Sequence, residues 1–156
     1  MSNASQLTTL SLEENFLSGF IPSTLCALTN LERLSLDENN LTLDTPTTEV
    51  NVLSCLANLK NLKHLDFSKN PLNANLPISI RNFSSSLQNV YLYSCNMRDN
   101  IPDDIGNLSG LIVLSMFFFL RKGDNFIHLS MARRHVHRIL SYTKIIHGIS
   151  YQAKDR

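Results

Sequence analysis

The chain is 156 residues long, with 43% hydrophobic and 17% charged residues, enough for one packed domain and too apolar for wholesale disorder. Its formal charge of +1 hides an asymmetry: residues 1–116 carry 6 basic and 11 acidic side chains, residues 117–156 carry 8 basic and 2 acidic. Two unlike segments are indicated; in the basic one Arg133-Arg134 is a short cluster with no motif for reading nucleic acid beside it.

Residues Met1–Thr9 are mostly polar and lack the basic start and apolar run of a secretory signal. From Leu7 onward a pattern repeats: Leu-x-x-Leu-x-Leu-x-x-Asn-x-Leu. It occurs at Leu7, Leu10, Leu12, Asn15 and Leu17, then at Leu31, Leu34, Leu36, Asn39 and Leu41. The third copy is Leu62, Leu65, Phe67, Asn70 and Leu72; the fourth is Leu87, Val90, Leu92, Cys95 and Met97. A fifth opens at Leu111, Leu114 and Met116 and then fails. Four full copies and a partial fifth, with starts 24, 31, 25 and 24 residues apart, are the mark of a repeat solenoid.

The spacing carries a physical meaning. Leu-x-Leu is period two, so both leucines face one side of a short strand and their neighbours face the other. One unit cannot bury its own leucines; stacked units share a continuous core behind a parallel sheet. The pattern predicts strands at Thr9–Glu13, Arg33–Asp37, His64–Ser68, Asn89–Tyr93 and Val113–Phe117, on the concave side of an α/β repeat solenoid. The Asn side chain both donates and accepts, so stacked copies should build an amide ladder. Cys95 offers only a weak thiol donor there and predicts a poorer rung. The second copy carries about seven extra residues within Thr42–Val52, whose polar character predicts a surface loop.

Leu17-Ser-Gly-Phe-Ile-Pro22, Leu76-Pro77, Ile101-Pro102, Ile105-Gly-Asn-Leu-Ser109 and Pro71-Leu-Asn-Ala-Asn-Leu-Pro77 add a more specific resemblance. Over residues 5–116 the chain resembles the ectodomains of plant leucine-rich-repeat receptor-like kinases. The resemblance implies a leucine-rich-repeat horseshoe at the outer face of the plasma membrane, binding a protein or peptide ligand, with a co-receptor as a further partner. In the family, membrane attachment and Ser/Thr kinase activity reside in parts whose signatures this sequence lacks: it has no glycine-rich phosphate loop, no His-Arg-Asp and no Asp-Phe-Gly. A truncated receptor gene fragment without independent function is the alternative.

Beyond Met116 the repeat collapses, and residues 117–156 form a divergent basic tail. Leu111–Leu120 is ten residues, too short for a membrane span of about 20. Val136, Ile139, Leu140 and Ile146 would form the stripe of a basic amphipathic helix over residues 131–150, covering the solenoid's end or lying on an anionic membrane. The third reading is a tail that is not evolved structure, as a misjoined reading frame would produce.

No nucleophile–base pair, metal spacing or cofactor motif appears, so neither an enzyme nor a cofactor is expected. Asp103-Asp104 reads as solvated acids, and His128, His135, His137 and His147 as solvated bases. Cys26, Cys55 and Cys95 form no Cys-x-x-Cys pair and read as small core residues; their odd number leaves at least one thiol free in a monomer. For binding, the pattern turns Thr9, Ser11, Glu13 and Glu14 outward, followed by Arg33, Ser35, Asp37 and Glu38. His64, Asp66, Ser68 and Lys69 come next, then Asn89, Tyr91, Tyr93 and Ser94. Glu13, Glu14, Asp37, Glu38 and Asp66 would make an acidic zone suited to a basic partner, with Tyr91 and Tyr93 as anchors. Sequons lie at Asn3, Asn40, Asn82 and Asn107; with no leader recognised, they are expected to stay unmodified. Both ends, including Phe117–Leu120, should be sticky for want of polar caps.

Overall fold

The computed structural model describes residues 6–43, 52–74, 82–97, 108–119 and 126–132; for 117–119 and 126–132 only the backbone is described. Five strands stack in parallel in chain order: β1 (Thr9–Ser11), β3 (Arg33–Ser35), β5 (His64–Asp66), β6 (Asn89–Met97) and β7 (Val113–Phe119). Two further strands, β2 (Ser18–Phe20) and β4 (Asn40–Thr42), pair in parallel on the flank. Register follows the repeat through the centre of the sheet, where Leu10 opposes Leu34, then Leu65, Val90 and Leu114; between β6 and β7 it shifts after Leu92, so that Met97 opposes Phe118. This is an α/β repeat solenoid.

All five predicted strands exist. The first three end two residues early, although their ladder continues as single bonds: Leu12 N–H to Ser35 O at 2.9 Å, Glu14 N–H to Asp37 O at 3.0 Å, Leu36 N–H to Asp66 O at 2.9 Å. The reason for the early end is the turn. Glu14, Glu38, Lys69 and Ser94, each immediately before the ladder position, all adopt left-handed φ values between 54° and 55°. That conformation bends the chain at the same place in every copy; the first three strands end before it, whereas β6 continues through Ser94 to Met97 with a shift of register.

The Asn ladder is realised. Asn39 Nδ2 donates to Leu12 O, Leu36 O and Asp37 O, and its Oδ1 accepts Leu17 N–H at 3.0 Å. Asn70 repeats this one unit on, donating to Leu36 O, Phe67 O and Ser68 O and accepting Leu41 N–H at 2.9 Å. At the fourth rung Cys95 donates its thiol to Phe67 O at 3.1 Å. It cannot accept Leu72 N–H, which turns instead to Asn70 O at 2.8 Å. Burial pushes this thiol up to about 12, so Cys95 is an inert core residue.

The apolar side chains close the core behind the sheet. Leu31, Leu34, Leu56, Leu62, Leu65, Phe67, Leu72, Leu87, Leu92 and Met97 are all fully buried. The short helix α1 (Val52–Leu56) and a 3-10 turn at Ser23–Ala27 form the back. They bring Cys26 and Cys55 into a disulfide, with Cα atoms 5.8 Å apart. The sequence reading took these two as small core residues and left their pairing open; they are paired and only partly buried against the core. Of the surface loop expected within Thr42–Val52, Leu43 and Val52 are buried, and residues 44–51 lie outside the described residues.

The two ends differ. At the first repeat Leu7, Leu12, Leu17, Phe20 and above all Phe16 are exposed. At the other end β7 runs past Met116 and pairs antiparallel with β8 (Phe126–Ala132) along its whole length, from Val113↔Ala132 to Phe119↔Phe126. None of the three readings of the tail contained this strand. Of the helix expected over 131–150 only Met131 and Ala132 are described, and both are in β8. Among the described residues no helix is long and apolar enough to cross a membrane.

Candidate functional site

The outward face of the sheet is a grid whose rows are repeats and whose columns are fixed by register. One column reads Thr9, Arg33, His64, Asn89, Val113, and the next Ser11, Ser35, Asp66, Tyr91, Ser115. The bonds beyond the strands extend the grid to Glu13, Asp37, Ser68, Tyr93 and to Glu14, Glu38, Lys69, Ser94. The expected residues therefore share one face, and Glu13, Asp37 and Asp66 fall in adjacent rows.

Their environments are unequal. Glu13 and Glu14 are exposed, whereas Asp37, Asp66, His64, Tyr91 and Tyr93 are half-buried. Burial raises the Asp37 carboxyl above its ordinary value, and the charges of Asp66, Glu13 and Glu38 push it further. Asp66 is raised too, by burial first, against the backbone N–H of Ser68 that it accepts at 2.9 Å. Asp37 Oδ1 has no hydrogen-bond partner among the described residues. His64 is lowered, by burial and then by Arg33, with Asp37 and Glu13 opposing. Its ring lies 5.4 Å from that of Tyr91 at a tilt of 43°, a favourable aromatic arrangement.

Three expectations about this face need correction. Glu38 is not a free member of the acidic zone, because Lys69 of the next repeat forms an ion pair with it. Ser35 and Ser68 are buried rather than exposed; the larger residues beside them in the grid cover a short side chain. The expected columns also omitted the pair Lys63–Glu32, 2.7 Å, which links the second and third rows at the strand's start. The signal for it was present: positions 32 and 63 are equivalent in the repeat and opposite in charge.

Of the sequons, Asn40 and Asn82 are exposed, and Asn3 and Asn107 lie outside the described residues, as do Asp103, Asp104, His135, His137 and His147. Among the described residues no group of three or more His, Cys, Asp or Glu could hold a metal ion.

The leucine-rich-repeat family model matches residues 6–28, 61–83 and 86–108, passing over the copy that carries the insertion. No curated protein sequence matches the chain. Among solved structures, one similar fold is the ectodomain of the plant membrane receptor kinase GASSHO1/SCHENGEN3 from Arabidopsis thaliana in complex with CASPARIAN STRIP INTEGRITY FACTOR 2, at 27% identity and TM-score 0.59 over 69% of this chain and 12% of that one. PEPR1-AtPEP1 matches at 33% identity and TM-score 0.60, over 70% of this chain and 14% of that one. A plant ice-binding protein matches at 25% identity and TM-score 0.60, over 72% and 35%. The chain thus spans well under two thirds of each of these proteins. The repeat matches and these neighbours agree with the α/β repeat solenoid described above, which is similar in fold to plant receptor ectodomains.

Proposed function

We propose that this chain is a recognition module that binds a protein or peptide ligand on the outward face of its sheet, outside the cell, as part of a surface receptor. The observation that carries the reading is the juxtaposition of three acids in adjacent rows, Glu13, Asp37 and Asp66, with Tyr91 and Tyr93 one row further on. Glu38 and Glu32 already have lysine partners, whereas Asp37 retains a carboxylate oxygen without one. A cationic side chain would satisfy that oxygen and offset the burial and neighbouring negative charge that raise both aspartates. The half-buried tyrosines would supply the apolar contact. The chemistry favours a peptide with lysine or arginine beside an apolar residue. In this reading a second ectodomain, as co-receptor, is the other class of partner, and the module itself performs no reaction. The receptor-ectodomain neighbours support the reading, two of them in complexes with named partners.

The test is a titration of lysine- and arginine-containing peptides against the chain by calorimetry, repeated at raised salt. Binding should weaken with salt and disappear when Tyr93→Ala is combined with Glu13→Lys and Asp37→Lys. Binding that survives that triple variant moves the site elsewhere, with the flank beside Thr42–Val52 the next place to look.

A further inference from the structure

Two consecutive asparagines follow the second turn, and the fold uses them in opposite ways. Asn39 is buried, with both ends of its amide spent in the ladder. Asn40 is exposed; its backbone N–H is bonded to Leu17 O at 2.8 Å, while its side-chain amide makes no hydrogen bond among the described residues. It opens the sequence Asn40-Leu41-Thr42, a glycosylation acceptor. A second observation bears on the compartment. The Cys26–Cys55 disulfide requires an oxidising environment of the secretory kind, where such acceptors are modified.

The surroundings of Asn40 add a physical consequence. Its counterpart in the first repeat, the residue following Asn15, is Phe16, whose side chain is fully exposed. Ser18 pairs with Asn40 in register, about 5 Å away by ordinary sheet spacing; Phe20, two residues further on, opposes Thr42 of the same acceptor sequence, and Phe16 lies two residues before Ser18. A sugar attached at Asn40 begins near Phe16, Leu17 and Phe20, which are among the exposed large apolar side chains of the described fold, and the C–H face of a pyranose packs on an aromatic ring.

We infer that Asn40 carries an N-linked glycan whose first sugars cover the Phe16–Phe20 patch. In the covalent step the donor is a lipid-diphosphate-linked oligosaccharide. The Asn40 amide nitrogen attacks the anomeric carbon, a C–N bond forms, and the C–O bond to the diphosphate breaks. The lipid diphosphate leaves with the bonding pair, and the amide loses one proton to a base of the transferase. The glycan occupies the flank strands and leaves Glu13, Asp37, Asp66 and Tyr91 uncovered. It shares with the proposed function only the passage through a secretory lumen, and its detection needs no ligand.

The experiment is secretion of the full chain from a eukaryotic host behind a cleavable leader, then amidase release in heavy-oxygen water and peptide mapping. Glycosylated Asn40 is thereby converted to a mass-labelled aspartate. Label at Asn40 is expected, lost in Thr42→Ala and retained in Thr42→Ser. Unlabelled Asn40 in the secreted chain overturns the site. Removing the glycan from the folded protein should raise the fluorescence of a hydrophobic dye, and Phe16→Ser should abolish that rise. Equal dye binding before and after removal overturns the shielding. Peptide binding is measured separately on bacterially made, glycan-free chain, so failure of one inference leaves the other standing.

Discussion

Replacing Asn70 by alanine tests the ladder where it is most completely formed. Asn70 is fully buried and holds two repeats together through four hydrogen bonds. Its loss is not uniform among its partners. Leu36 O keeps Asn39 Nδ2 at 3.0 Å, Phe67 O keeps the Cys95 thiol at 3.1 Å, and Ser68 O keeps Glu38 N–H at 3.0 Å. Leu41 N–H, by contrast, loses the acceptor that Asn70 Oδ1 provides. A buried donor left unpaired costs about 1–3 kcal/mol, and three weakened carbonyls add roughly another 1. Asn70→Ala should therefore destabilise the chain by about 3 kcal/mol, a fall in Tm of roughly 10 °C. Urea unfolding followed by far-ultraviolet circular dichroism measures this as a lower midpoint at unchanged slope. The internal control is Asn15→Ala. Asn15 donates to Leu12 O and Glu13 O but is exposed, so water replaces what it gives up and the cost should stay under about 1 kcal/mol. Equal losses for the two variants, or under about 1 kcal/mol at Asn70, would refute the argument that burial makes the ladder matter.

Four further outcomes follow from the same structure. Cys95→Asn should stabilise the chain by about 1 kcal/mol, because the amide oxygen could accept Leu72 N–H; a loss measured in the same urea experiment would mean that the fourth rung has no room for an amide. Cys55→Ala should cost roughly 3–4 kcal/mol on the chain-entropy account of closing a loop of about 30 residues, and a melting temperature insensitive to reductant would contradict it. Asp37→Asn should stabilise the chain near pH 7. A carboxyl whose folded value is raised opposes folding when ionised, so the penalty is present above the folded value and fades as pH falls toward the ordinary 3.8. Urea midpoints of wild type and variant should thus converge at low pH. His64 acts in the other direction: its value is lowered from 6.5, so its neutral form favours folding and that contribution is lost as pH falls below 6.5 through the folded value.

The repeat, the five strand positions, the inward leucines and the Asn ladder were legible in the sequence, because each depends on local periodicity multiplied by stacking. Period two decides which residue faces in; a unit too small to bury its leucines decides that copies must stack. The weak rung at Cys95 was legible for the same reason, since it needed only the chemistry of a thiol against an amide. The outward columns were equally readable, and the structure brings Glu13, Asp37, Asp66, Tyr91 and Tyr93 to one face in the order the repeat implies.

What the sequence could not decide are contacts between copies that are not in equivalent positions. Cys26 lies five residues before its next repeat begins and Cys55 seven, so no register argument pairs them; only the packing of the turn at Ser23–Ala27 against α1 does. Ser35 and Ser68 alternate outward as predicted, yet they are buried, because burial depends on the size of neighbours across the sheet and not on the side a residue faces. Glu38 was assigned to an acidic zone until Lys69 one row away became its partner. Phe126–Ala132 carries no repeat at all, and its place as the antiparallel neighbour of β7 is decided by the open edge that the last repeat leaves. Local periodicity determines the stack; the edges, the staple and the charge pairing belong to the folded chain, where distance in sequence no longer measures distance in space.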